Sequence, residues 1–145
     1  MGYRLIAAMV LSTTTMTPAA AAETIFSCKA GPRTVAVLRE NDRLVYQSSR
    51  RGKVELRVPD GRVAEAGFSG GGEVQTHFVN GPWTYVLYTR IVRTAFKGRN
   101  DPREEAGVDV LTSGRTVSRI ACDDRTKEFT MDGLVGVPEG EFVDH

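Results

Sequence analysis

Almost every stretch between turn signals in this chain alternates apolar and polar residues with a period of two. In "KVELRVP", Val54, Leu56 and Val58 fall on one face and Lys53, Glu55 and Arg57 on the other. Successive side chains of a strand point to opposite faces, so this is the signature of half-buried β-structure. "TIFSC" reads as a short first strand. "RTVAVLRE" and "DRLVYQS" flank Asn41-Asp42, a hairpin signal. Pro59-Asp60-Gly61 is a turn, because Pro presets φ and Gly accepts positive φ.

"GEVQTHFVN" places Val74, Thr76 and Phe78 on one side and a polar column of Glu73, Gln75 and His77 on the other. The column reads as solvent-facing. Asn80-Gly81-Pro82 turns the chain into "WTYVLYTRIVRTAF", the longest strand candidate. Neither of its faces is clearly polar, which predicts a central strand covered on both sides for part of its length. "KGRNDPREEAG", Lys97 to Gly107, reads as a charged loop, and "GVDVLTSGRTVSRIAC" as a hairpin turned at Ser113-Gly114. No helical stripe extends over three turns. A short helix fits only the tail or the region from Asp101 to Ala106. The expected fold is all-β and antiparallel, a small barrel or sandwich of about eight strands.

The N-terminus reads as a secretory signal, residues 1–22. Arg4 supplies the positive region, "LIAAMVL" the apolar core, and Ala20 and Ala22 the small-residue pattern before a cut between Ala22 and Glu23. The apolar run is shorter than the about 20 residues that span a bilayer, so the expectation is a periplasmic or secreted protein that does not span a membrane. Residues 23–145 then form one domain, whose acidic tail covers about 123–145.

Export favours an oxidising compartment, in which Cys28 and Cys122, the only cysteines, are expected to pair. With both in a disulfide, no thiol remains for catalysis. Losing Arg4 and no acid leaves the domain with no net charge, unlike a nucleic-acid binder. The charge is nonetheless uneven. Seven acids after residue 122 face only Arg125 and Lys127. Such asymmetry points to a partner, to docking of the tail on the body, or to a solvated acidic end.

Catalytic patterns are sparse. The glycines after Ser69 are followed by no Lys-Ser/Thr, so they are not a phosphate loop. "FSGGG" is not a nucleophile elbow. Glu73 and His77, four residues apart on a strand, sit about 13 Å apart along its axis, too far to ligate one ion unaided. No metal, no cofactor and no catalytic residue is expected. A binding protein needs less: a rigid scaffold, an approachable loop and aromatic or Arg anchors. Ser69, Gly70, Gly71 and Gly72 offer the loop, and Trp83, Tyr85, Tyr88, Arg90 and Arg93 offer anchor types. The glycines read equally as a bulge where the sheet turns a corner.

Ser69-Gly70-Gly71-Gly72-Glu73 and Tyr85-Val86-Leu87-Tyr88-Thr89-Arg90-Ile91, between an early and a late Cys, resemble two motifs of the membrane-bound and periplasmic inhibitors of c-type lysozyme. Those motifs are S-G-x-x-Y and Y-x-x-x-T-K-G. Glu73 replaces the aromatic of the first. In the second, Arg90 stands for the Lys and Ile91 for the Gly. The resemblance implies an eight-stranded antiparallel barrel and a partner that is a lysozyme-like cell-wall hydrolase. It places the partner-binding residues at Ser69, Gly70, Gly71, Gly72, Tyr85, Thr89 and Arg90, with Ser69 and Arg90 addressing the target's catalytic carboxylates. The acidic tail would add steering toward a basic lysozyme. "RLVYQSSRRGKVELRVP" is similar to a group of exported bacterial β-proteins of unassigned activity, which implies only location and fold. The alternative function is a barrel that binds a small ligand or an envelope component.

Overall fold

The computed structural model describes residues 21–96, 99–127 and 131–144. The predicted signal segment lies almost entirely outside them. Ala22 is exposed, and the first strand begins at Glu23.

Among the described residues ten strands follow one another: β1 (Glu23–Ala30), β2 (Arg33–Glu40), β3 (Arg43–Arg50), β4 (Lys53–Val58), β5 (Arg62–Phe68), β6 (Gly71–Asn80), β7 (Trp83–Phe96), β8 (Arg99–Thr112), β9 (Arg115–Ala121) and β10 (Asp124–Lys127). One helical turn, α1 (Met131–Leu134), comes after them. They build two antiparallel five-stranded sheets, β10-β1-β2-β3-β4 and β5-β6-β7-β8-β9. Within each sheet consecutive strands are neighbours, so the chain is a meander. The sheets are not closed into a barrel; of the two expected architectures, the paired sheets take that of a sandwich.

The meander follows from its turns. Asn41 and Asp42 both have positive φ, at 46° and 64°, as do Ser113 and Gly114, at 50° and 71°. This is the twist that a two-residue hairpin needs. Pro59-Asp60-Gly61 does something different: it carries the chain from the first sheet to the second. A Cβ at Gly61 would run into the Phe78 ring and crowd Leu44, so the corner closes only over glycine.

The opposite corner lies between β9 and β10. The Cys122 N–H donates to the Ala106 carbonyl of one sheet at 2.9 Å, and the Asp123 N–H donates to the Lys29 carbonyl of the other at 2.7 Å. The expected disulfide is present here. Cys28 and Cys122, 94 residues apart in sequence, have Cα atoms 5.7 Å apart. The bond therefore fastens the two sheets to each other.

Between the sheets the space is filled. Phe26, Val35, Val37, Leu44 and Tyr46 from one sheet meet Phe78, Leu87 and Val108 from the other. Leu134 and Val137 also enter this core. Among the described residues no helix is long and apolar enough to cross a membrane.

Three expectations change. β5 and β10 are strands that the sequence pattern did not mark. Of the segment from Lys97 to Gly107, read as a loop, Lys97 and Gly98 lie outside the described residues, and from Arg99 onward it is strand: β8 pairs with β7 from Phe96↔Arg99 and shows no helix at Asp101 to Ala106. Finally, the column Glu73, Gln75, His77 does not face solvent. Gln75 is fully buried and Glu73 nearly so. The tail covers it.

Candidate binding cleft at the glycine hairpin

The hairpin β5–β6 turns on Ser69-Gly70, with Phe68 opposite Gly71. Gly70 supplies the single positive φ, 90°, which a turn with this one left-handed position requires. Its carbonyl accepts the Arg93 N–H at 2.6 Å, fastening the turn to β7. Gly71 meets β7 so closely that a Cβ there would collide with the Ile91 carbonyl. Gly72 is less confined, since its added Cβ would come only within 3.4 Å of the Ala66 carbonyl oxygen. The glycines thus permit a tight turn and a close strand approach, the structural half of the two readings made from sequence.

β6 begins at Gly71, opposite Val92, while β7 and β8 continue past it to the Phe96↔Arg99 pair. The step in the sheet leaves a cleft of about 910 Å³, walled by Phe68, Glu73, Arg90, Ile91 and Glu104 among others. Phe68 and Ile91 are exposed apolar side chains at its wall. Of the residues singled out from sequence, Gly70, Gly71, Gly72, Thr89, Arg90 and Arg93 line this cleft. Ser69 stands exposed at the tip of the turn. Tyr85 is not part of the site: it points between the sheets and stacks on Tyr46, ring centroids 5.1 Å apart.

Arg90 is held in place. Its Nε donates to Glu105 Oε2 at 2.7 Å, its Nη2 lies 2.6 Å from the same oxygen, and its guanidinium sits 5.4 Å from the centre of the Tyr88 ring. On the same outer face, two rows along, Arg119 makes three hydrogen bonds to the fully buried Asp109 carboxylate, at 2.7, 3.0 and 3.2 Å. Those bonds hold the Arg119 pKa above its ordinary value. Between the two pairs lies Tyr88, whose phenol pKa is raised, first by burial and next by the Asp109 charge.

The polar column of β6 forms a chain of its own. Gln75 Nε2 donates to Glu73 Oε1 at 2.7 Å, and His77 Nε2 lies 2.7 Å from Gln75 Oε1. An amide oxygen only accepts, so His77 carries its proton on Nε2. Sequence reasoning saw this column but not its burial. The uneven charge of the tail was the only signal that something docks there. Among the described residues no group of three or more His, Cys, Asp or Glu is placed to hold a metal ion.

In comparisons with known proteins, no family model, curated protein or solved structure matches the chain.

Proposed function

We propose that the chain is an exported, periplasmic or secreted binding protein without catalytic activity, which grips a protein partner at the cleft beside the glycine hairpin. The observation that carries this reading is the cleft itself. Exposed Phe68 and Ile91 line it together with Glu73, Arg90 and Glu104, a mixture of apolar and charged side chains. That is the composition of a protein-docking surface. A filled space between the sheets, where Tyr46 and Tyr85 stack on each other, supports a partner bound outside rather than a ligand bound within.

The partner class proposed is a lysozyme-like cell-wall hydrolase, by the resemblance of the Ser69-Gly70 and Tyr85–Arg90 segments. Arg90 then exchanges Glu105 for a carboxylate of the target, a swap of one ion pair for another. The test is a lysozyme turbidity assay with the purified mature protein and its Ser69→Ala and Arg90→Ala variants. Inhibition by the unchanged protein, weakened in Arg90→Ala, is the expected result. No inhibition of any c-, g- or i-type lysozyme at micromolar concentration overturns the hydrolase assignment.

The second reading is a small-ligand or envelope-component binder. A volume of about 910 Å³ falls in the range of ligand pockets and favours it. An Ile91→Asp variant that loses a bound envelope component while lysozyme is never inhibited would select that reading.

A further inference from the structure

Residues 138–144 lie across the second sheet as an extended strap. Val63 of the edge strand β5 gives the strap both of its backbone groups, in a parallel bridge to Glu139. Its N–H donates to the Pro138 carbonyl at 2.9 Å, and its carbonyl accepts the Gly140 N–H at 2.8 Å. Arg62 Nη1 donates to the Glu139 carbonyl at 3.1 Å.

Three residues further on, Gln75 makes the same two bonds with its side chain. Nε2 donates to the Val143 carbonyl at 2.7 Å, and Oε1 accepts the Val143 N–H at 3.0 Å. All five of these bonds address backbone atoms of the strap.

The Gln75 amide is set up for this role before the strap arrives. Its second N–H goes to Glu73 and its second lone pair to His77. Glu73 and His77 therefore orient the amide, leaving one donor and one acceptor spaced as a neighbouring strand would present them. With the strap in place all four of its hydrogen-bonding positions are used. Without an occupant, that donor and acceptor lose their partners, a cost a second segment would relieve.

The strap itself is lightly held. Pro138, Glu139, Glu141 and Asp144 are exposed, and only Gly140, Phe142 and Val143 are half-buried. A segment with few buried apolar contacts opens far more easily than the sheets beneath it.

We propose that this face is a peptide-docking groove. It takes an extended acidic segment of another protein, laid parallel to β5, and in the resting chain residues 138–144 occupy it. Recognition is by strand addition at β5 and by the oriented Gln75 amide, a mode that reads backbone first. Acidity follows from the charge of the chain. The present occupant carries Glu139, Glu141 and Asp144, and the matching positive excess lies on the body. The groove is distinct from the use proposed for the cleft, which it adjoins at Glu65.

The test uses the purified protein and a labelled synthetic peptide of the strap sequence, PEGEFVD. Gly140→Pro removes the N–H that bonds Val63, and Val143→Pro removes the one that bonds Gln75. Both weaken the internal occupant without touching the core. The peptide is expected to bind either variant at least about tenfold more tightly than the unchanged chain, because the internal strap lowers the fraction of open groove. On addition of excess peptide to the unchanged chain, the Val143 amide should lose its protection from hydrogen exchange while Val63 keeps its own. A lysine-rich peptide of equal length should bind at least about tenfold more weakly.

Equal peptide affinity for all three chains overturns the proposal. So does a Val143 amide that exchanges as slowly as Val35 in the core, a readout that needs no variant. A concentration-dependent dimer that exchanges straps would overturn the assignment to another protein.

Discussion

Asp109 is fully buried, yet its carboxylate is bound at three points by Arg119, whose side chain is half exposed. The two residues are direct cross-strand partners of β8 and β9. Arg119 thus supplies the charge that neutralises its neighbour. Removing it leaves a buried carboxylate stripped of these three bonds. Breaking a deeply buried pair costs about 3–5 kcal/mol. Water reaches the Arg119 side, so Arg119→Ala is expected to cost about 1–3 kcal/mol. Asp109→Asn, which removes the charge and keeps the shape, should cost less. Urea unfolding of the two variants checks the order; equal or reversed losses would mean that the charge is not what Arg119 compensates.

The Cys28–Cys122 bond joins the two sheets at the corner where hydrogen bonding passes from Ala106 to Lys29. It closes a loop of 94 residues, for which chain entropy gives about 4–5 kcal/mol. Reduction is expected to lower the Tm by about 10 °C or more. Differential scanning calorimetry with and without reductant measures this. A change below about 3 °C would place the stability of the corner in its backbone bonds instead.

Much of this fold was legible because turn chemistry is local. Asn41-Asp42 and Ser113-Gly114 announce positive φ, and the alternation of β4 and β6 separates the two faces of each strand. β5 was not legible, since "RVAEAGF" contains Ala and Gly where strands prefer branched or aromatic residues. Its partner β6 makes it a strand. The stretch from Lys97 to Gly107 was read as a loop from its charge, but from Arg99 onward its ladder with β7 needs no apolar face. The buried column of Glu73, Gln75 and His77 failed for a third reason. Periodicity says which residues share a face, and nothing in it says what lies on top. Only the acidity of the tail bore on that, and charge alone does not distinguish a docked end from a solvated one. Of the residues that the motifs singled out, Arg90 and the glycines line the cleft, whereas strand parity turns Tyr85 inward onto Tyr46.

Gly71 and Gly72 are neighbours in sequence with opposite tolerances. A methyl at Gly71 collides with the Ile91 carbonyl, while one at Gly72 finds its nearest neighbour 3.4 Å away. Gly71→Ala is expected to destabilise the domain by about 3 kcal/mol, at the upper end of overpacking costs. Gly72→Ala should change stability by less than about 1 kcal/mol, the strand gaining some backbone rigidity from the lost glycine. Thermal unfolding of both variants separates the two functions assigned to these glycines. A stable Gly72→Ala that no longer binds its partner would show that the hairpin is used as a surface. A well-folded Gly71→Ala would contradict the close approach of β7.

Two buried phenols give the protein an alkaline limit. Burial raises the pKa of Tyr46, against smaller opposing effects of its hydrogen bond with Ser48 and of Arg33. Burial also raises Tyr88, with the Asp109 charge adding to it. In the unfolded chain both phenols ionise near their ordinary value of 10. Above that pH the unfolded state has released protons that the folded state still holds, so unfolding becomes progressively easier. The stabilisation is complete below pH 10 and is lost as the pH rises through the folded-state values. Urea midpoints measured at successive alkaline pH values should therefore fall once the pH passes 10, and phenolate absorbance should lag behind that of a free tyrosine. Tyr46→Phe and Tyr88→Phe should each flatten part of this fall. If neither variant changes the slope, the alkaline loss belongs to groups other than these two rings.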